Sequence, residues 1–214
     1  FGALRGHLAA KAAPITLCND IGRIRSLFKY AYEAELLAHP VRFGPEFVKP
    51  PKRVMREARR DRGPRLFEPA EVKAMLPQAS PQLRAMILLG LNCGMGNTDI
   101  AELPKSALDL KAGTVDFPRP KTGISRRAVL WPETIAALKA VAPVRPNAKN
   151  PADDRLVFIT KYGFPWVRVT APDRELKSHR LHVTKDAICL EFGKLTMEVC
   201  GKRGGRGFYG LRHT

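Results

Sequence analysis

Apolar residues near the start of the chain recur at helical intervals. Between Thr16 and Leu37, Leu17, Ile21, Ile24, Phe28 and Ala31 fall four, three, four and three positions apart, which places them on one face of a helix. Thr16, just after Pro14, is expected to cap it. Arg23, Arg25 and Lys29 fall largely outside the stripe, so the other face is basic, either solvated or laid against a polyanion. The pattern fails between Pro51 and Arg65. There PKRVMREARRDRGPR carries seven basic and two acidic residues bracketed by Pro50, Pro51, Gly63 and Pro64, with too few apolar residues to fold alone. It is expected to be an interdomain linker whose arginines Arg53, Arg56, Arg59 and Arg60 contact phosphates.

A second periodic region opens at Phe67. FEPAEVKAMLPQ predicts a short helix with Pro69 in its first turn, and PQLRAMILLGLNCGMGNTDIAELP predicts two helical stretches joined through Gly94 and Gly96. The period then drops toward two. LDLKAGTVDFPRPKTGISRRAVLW predicts antiparallel strands over Leu108 to Leu110, Thr114 to Phe117 and Arg127 to Trp131, with turns at Lys111 to Gly113 and Lys121 to Ser125. WPETIAALKAV predicts a helix, APVRPNAKNPADD a polar loop, and RLVFITKYGFPW a strand and a turn. Ile188, Phe192, Leu195 and Val199 then share a helix face within Asp186 to Val199, before the glycine-rich basic stretch CGKRGGRG. The expected fold class is α+β and mostly helical. Residues 1–50 form a helical unit, 51–66 a basic linker, and 67–214 a unit of helices around a small antiparallel sheet.

Charge changes the picture more than length does. The 214 residues suffice for one large domain or two small ones, but 37 Lys and Arg against 20 Asp and Glu leave a formal +17. Such an excess points to a polyanionic partner, nucleic acid ahead of an anionic membrane, because the cations are not gathered on an amphipathic anchor helix. An RNA- or ribosome-associated protein would fit the charge alone. No apolar run approaches the roughly 20 residues of a membrane span, and no signal-peptide layout opens the chain. A cytoplasmic, nucleoid-associated protein with no membrane partner is expected. Cys18, Cys93, Cys189 and Cys200 form no CxxC pair and are expected to be reduced and buried. His179, His182, Cys189 and Cys200 lack the paired spacing of a zinc site, and no GxxxxGK[ST] loop is present, so neither metal nor cofactor is expected. The chain opens at Phe1 inside a helical region, as a fragment would.

The closing GFYGLRHT sets an arginine beside a histidine and a tyrosine. Arginine's planar fork holds two phosphate oxygens at once, whereas lysine is a compact charge that can give up a proton. PKTG followed by GISRRAVLWPET, then NCGMGNTDIAELP at its distance upstream, and the closing LRHT together resemble the catalytic domain of tyrosine recombinases of the phage-integrase type. TLCNDIGRIRSLFKYAYEAELLAHPV is similar to the last part of that family's helical core-binding domain. The resemblance covers nearly the whole chain. It implies a double-stranded DNA partner and cleavage through a 3′-phosphotyrosine link, with arginines stabilising the phosphorane and a hairpin lysine protonating the leaving 5′-oxygen. It places Lys121 as that lysine, Arg212 as the second arginine, and His213 as a supporting histidine.

Two positions depart from the family pattern. Gly96 stands where the first arginine is expected, and Tyr209 where the histidine of H-x-x-R is expected. A phenol, with a reference pKa of about 10, can hydrogen-bond a phosphate but is a poor base near neutral pH. Arg119, which shares the face of Lys121 on an extended strand, is the leading substitute cation. Arg126 and Arg127 follow, and all three are candidates for gripping the DNA backbone. The resemblance implies that the nucleophilic tyrosine, and self-association on DNA, belong to a segment beyond Thr214. Two functions stay open: a site-specific recombinase of which this is a fragment unable to cleave, and a catalytically inactive relative serving as a DNA-binding module.

Overall fold

Among the described residues four α-helices begin on a proline, whose fixed φ suits the first turn and whose missing N–H is an orphan donor there anyway. The computed structural model describes residues 1–63, 65–170, 183–201 and 204–214. They divide into two units, Phe1–Pro64 and Arg65–Thr214.

The first unit contains α1 (Gly2–Lys11), α2 (Pro14–Glu33) and α3 (Lys52–Asp61). Leu17 and Ile21 of the expected stripe are buried against Phe47, with Leu8, Ala12, Ile24 and Phe43 packed around them. Pro14 itself starts α2, so Thr16 lies inside the first turn and Ala13 takes the capping position. The segment expected to be an irregular strap is helical over α3. Its Arg and Glu content favours helix, and an Arg53–Glu57 ion pair of 2.8 Å bridges one turn, yet no α3 residue is fully buried. Too little apolar surface kept the stretch from reading as a helix, but a solvated helix needs only propensity and one face resting on a neighbour.

The second unit is built around α5 (Pro81–Cys93), capped by the Ser80 hydroxyl and ended by Gly94 in the left-handed conformation at φ 60°. Seven consecutive-turn residues of α5, from Leu83 to Gly90, are buried, the signature of a helix surrounded on all sides. It packs against α4 (Pro69–Gln78), α7 (Pro132–Val141), α8 (Ala187–Cys200) and a closing 3₁₀ turn, Phe208–His213. Gly90 lets that last turn come close: a Cβ there would meet the Leu211 Cβ at 3.4 Å. α6 (Asn97–Ala101) follows the Gly94 corner.

A three-stranded antiparallel sheet runs β1 (Leu108–Asp109), β2 (Thr114–Asp116), β3 (Arg127–Val129), with Val115 opposite Ala128. The strands sit where alternation predicts and are one or two residues shorter. The run from Arg155 to Trp166 is not a strand: Leu156 makes a single bridge to Pro104, Val157 N–H donates to the Leu103 carbonyl, and Phe158 and Ile159 are buried without a ladder. A short continuous apolar run marks burial, not strand geometry. The strand starts later, at β4 (Val167–Thr170), paired antiparallel with β5 (Val183–Asp186), which the sequence did not announce. The architecture is α+β and mostly helical. No helix among the described residues is long and apolar enough to cross a membrane.

Candidate functional site

Hydrogen bonding carries the β2–β3 hairpin beyond its strands. Phe117 N–H donates to the Arg126 carbonyl at 3.0 Å and Arg119 N–H to the Ile124 carbonyl at 2.8 Å, while Thr122 and Gly123 N–H both fold back on the Arg119 carbonyl. Gly123, at φ 66°, supplies the conformation that this turn needs. The turn presents exposed Lys121 beside half-buried Arg119.

Three segments far apart in sequence meet around one open cavity of about 640 Å³. Gly96, Asn97, Thr98, Asp99 and Glu102 line it from α6, Arg119, Pro120 and Lys121 from the hairpin, and Tyr209 and Arg212 from the closing turn. Arg212 packs its stem over the Gly94 corner, where a Cβ would lie 3.6 Å from the Arg212 Cγ. Its guanidinium carbon stands 5.8 Å from the centre of the Tyr209 ring. The Arg212 Nη1 is buried and has no hydrogen-bond partner among the described residues. His213 does not line the cavity; it is exposed and makes an edge contact with Tyr209 at 5.3 Å.

Gly96 is not a conformational requirement. Its φ of −89° and ψ of 176° are open to any residue, and an added Cβ would meet the Tyr209 ring at an ordinary 3.7 Å. A Cβ is thus accommodated at this position without displacing a neighbour.

Arg126, expected to face DNA, instead turns inward. Its Nη1 lies 2.9 Å from Asp99 Oδ2, a carboxylate oxygen that also accepts the Gly96 N–H at 3.2 Å, and its Nε and Nη2 are buried without partners among the described residues. Asp99 lines the cavity and Arg126 does not. Burial beside it pushes the Cys93 thiol up to about 11, against the opposing pull of the Arg126 charge. Arg127 is exposed on β3, across from Asp116. In the first unit Arg53, Arg56, Arg59 and Arg60 are all exposed on α3. The four cysteines form no disulfide among the described residues, and each is half-buried where burial was expected.

The closing turn is anchored from behind. Arg206 makes a two-pronged contact with Glu71 at the start of α4, with Nη2 to Oε1 at 2.8 Å, and lies 4.7 Å over the Phe67 ring. The Arg206 contact, joined by the Glu68 N–H, lowers the Glu71 pKa from 4.5 to about 2. Phe67 N–H donates to the Thr214 hydroxyl at 3.2 Å. Both contacts tie the segment bearing Tyr209 and Arg212 to the beginning of the unit.

The sequence led to Arg119, Lys121, Tyr209 and Arg212, which the fold brings together. It missed the partnership of Asp99 and Arg126, although Asp99 stands three positions after Gly96 in the quoted run. It also missed Asn97, whose Nδ2 donates to Asp186 Oδ2 at 2.6 Å. Of the histidines and cysteines weighed as a metal set, His179 and His182 lie outside the described residues. Among the described residues no cluster of His, Cys, Asp or Glu could hold a metal ion.

No protein-family model and no curated protein matches the chain. Solved structures do. The Tn1549 transposon integrase in complex with circular intermediate DNA is 14% identical, with a TM-score of 0.62 over all of this chain and 69% of that one. Lambda integrase bound to DNA is 12% identical, with a TM-score of 0.58 over 98% of this chain and 66% of that one. A lambda integrase dimer bound to a COC′ core site is 11% identical at the same TM-score, over 99% and 68%. The chain thus shares the integrase fold and spans about two thirds of the length of these structures.

Proposed function

We propose that the cavity between α6, the β2–β3 hairpin and the closing turn holds a DNA phosphodiester, and that the chain is the core of an integrase-like, site-specific DNA recombinase. The observation that carries this reading is the convergence of Arg119, Lys121 and Arg212 on one cavity, with a buried Arg212 donor left unpaired. An unsatisfied buried donor costs about 1–3 kcal/mol, and more when charged, so such groups call for a ligand. A phosphate oxygen is the acceptor a guanidinium fork fits best.

In the proposed reaction a tyrosine hydroxyl other than that of Tyr209 attacks phosphorus as its proton passes to solvent, and the bond from phosphorus to the 5′-oxygen breaks. Arg212 and Arg119 hold the non-bridging oxygens as negative charge builds, the Lys121 ammonium gives its proton to the leaving oxygen, and the Tyr209 hydroxyl donates a hydrogen bond to the phosphate. Arg127 and the α3 arginines Arg53, Arg56, Arg59 and Arg60 bind the DNA backbone outside the reacting centre. More than one copy assembles on the DNA, which the lambda integrase dimer on its core site supports by analogy. Localisation with the nucleoid follows from DNA binding.

A second reading, a DNA-binding module without strand cleavage, draws on Gly96, which brings no cation to the cavity although a Cβ there would meet nothing closer than 3.7 Å. Two measurements decide. Affinity for duplex DNA should fall steeply with salt, and Lys121→Gln and Arg212→Gln should each flatten the log–log slope by about 0.9; unchanged slopes would remove the phosphodiester from the cavity. A nicked suicide substrate offered to the gene product should then trap a covalent adduct; binding without an adduct favours the module.

A further inference from the structure

A second cavity, of about 510 Å³, opens on the other side of a single hydrogen bond from the first. Asn97 lines the first and Asp186 the second, and the two are joined at 2.6 Å. The second cavity is bordered by the turn Thr160 to Phe164 and by the paired strands β4 and β5. Arg168 and Lys185 line it, while Lys161 stands on its bordering turn and Lys149 against that turn.

The turn is tightly built. Thr160 N–H donates to the Phe164 carbonyl, Gly163 N–H to the Thr160 carbonyl, and Phe164 N–H to the Thr160 hydroxyl. Gly163 sits at φ 80° with Lys149 so close that a Cβ would fall 2.9 Å from the Lys149 Cγ, and the Lys149 N–H donates to the Gly163 carbonyl. This framework presents an exposed Lys161 and an exposed Tyr162.

The charges rest on rings. The Arg168 guanidinium lies 3.9 Å from the centre of the Phe164 ring, the Lys149 ammonium 4.7 Å from the same ring, and the Lys161 ammonium 5.1 Å from the Tyr162 ring. Among the described residues none of these cations forms an ion pair with a carboxylate. A cation held by a ring is oriented but keeps its full charge, whereas one held by a carboxylate is neutralised. Strand register adds a like-charge pair, because Arg168 stands directly opposite Lys185. Such pairs are unfavourable in an unliganded hairpin, and a bound anion relieves them. The carboxylate nearest the opening, Asp186, accepts the Asn97 amide and the Cys189 N–H, which spreads its charge into hydrogen bonds.

We propose that this second cavity is a binding site for the DNA phosphodiester backbone, taking a stretch of the same duplex whose scissile link occupies the first. It rests on the reading of the first cavity given above, and the Asn97–Asp186 bond is the shared wall that the backbone crosses. Lys161, Arg168 and Lys185 are the cations that meet phosphate oxygens, and the rings beneath two of them hold the geometry before DNA arrives.

The test uses the full chain and a fluorescent duplex, with the dissociation constant followed across salt concentrations. Lys161→Gln, Arg168→Gln and Lys185→Gln, singly and together, are compared with Lys121→Gln and Arg212→Gln. The triple variant should lose about 2 to 3 from the log–log salt slope, at roughly 0.9 per phosphate contact. At fixed low salt it should bind at least about tenfold more weakly, and Lys161→Arg should keep the slope. Circular dichroism melting guards against misfolding, and the exposed single variants Lys161→Gln and Lys185→Gln carry the test should the triple variant unfold. A slope unchanged in the second-cavity variants but flattened by Lys121→Gln and Arg212→Gln overturns this inference alone. The reverse pattern overturns the reading of the first cavity instead. A slope change seen with RNA but not with duplex DNA also overturns the proposal.

Discussion

Arg126→Met tests whether the fold depends on the ion pair that Arg126 makes with Asp99, a residue lining the first cavity. The Asp99 and Arg126 side chains retain only 8% and 18% of their exposure, so removing the guanidinium strands a carboxylate with the Gly96 N–H as its remaining partner. Breaking a buried pair in this way costs about 3–5 kcal/mol. Part of that is returned, because Arg126 carries two buried donors without partners, each unfavourable by about 1–3 kcal/mol where water cannot reach it. With about 1 kcal/mol returned for each of the two donors, since Arg126 keeps some exposure, the net expectation is a loss of about 1–3 kcal/mol, or a drop in melting temperature of roughly 2–12 °C for a unit of this size. Asp99→Asn in the same background should recover most of the loss, since a pair removed as a whole is often neutral or better. Both tryptophans, Trp131 and Trp166, lie in the second unit, so urea unfolding followed by their fluorescence reports on it directly. Arg126→Met at wild-type stability, or a double variant as unstable as the single one, would refute the reasoning.

Glu71 supplies a pH dependence. Its pKa falls from 4.5 to about 2 in the fold, so its contribution is complete above about 4.5 and fades as the pH drops toward 2. Glu71→Gln should cost about 1–3 kcal/mol at neutral pH, discounted for its partial exposure, and should flatten the acid limb of a stability–pH curve; an unaltered limb would show that Arg206 is satisfied elsewhere. Gly96→Arg should fold normally, because backbone and Cβ space both permit it, and should steepen the salt slope of DNA binding by about 0.9. Weaker binding with intact folding would mean that the cavity does not take a phosphate. Cys93, at about 11, should react with iodoacetamide roughly 100-fold more slowly than a thiol at 9, and a thiol as fast as that one would contradict its burial.

What the sequence revealed divides along physical lines. Helix faces were readable in Leu17, Ile21 and the Ile188 to Val199 stripe because burial of one side imposes a period of 3.6 on the apolar residues. The hairpin of Lys121 was readable from alternation and from Gly123, a residue that tolerates its positive φ. The cations of the site were reached through motif order, and the fold then placed them on one cavity. Arg126 went the other way. Nothing in GISRRAVLW distinguishes an arginine that turns inward from its neighbour that stays exposed, since the difference is made by Asp99, 27 positions away. The same limit hid β5, whose pairing with β4 is a long-range choice, and the helical state of α3, which owes more to propensity than to an apolar face.

Carboxylates in the wall of a cavity proposed to hold a phosphate look contradictory, and their placement resolves the conflict. Asp99 is buried and its charge is met by Arg126 and by the Gly96 N–H, so toward the cavity it acts as a fixed acceptor that orients the α6 N-terminus. Asp186 is treated alike in the second cavity, with two N–H donors on its two oxygens. In both places the more buried acid is met by neighbouring donors, which leaves exposed Glu102 as the open carboxylate of the first cavity beside Arg119, Lys121 and Arg212. Repulsion among those cations is borne by the second unit's apolar core, centred on α5, and a bound polyanion would turn the same repulsion into affinity. Three cations against one open carboxylate in the first cavity leave a net positive lining, which supports the anionic polymer proposed as its ligand.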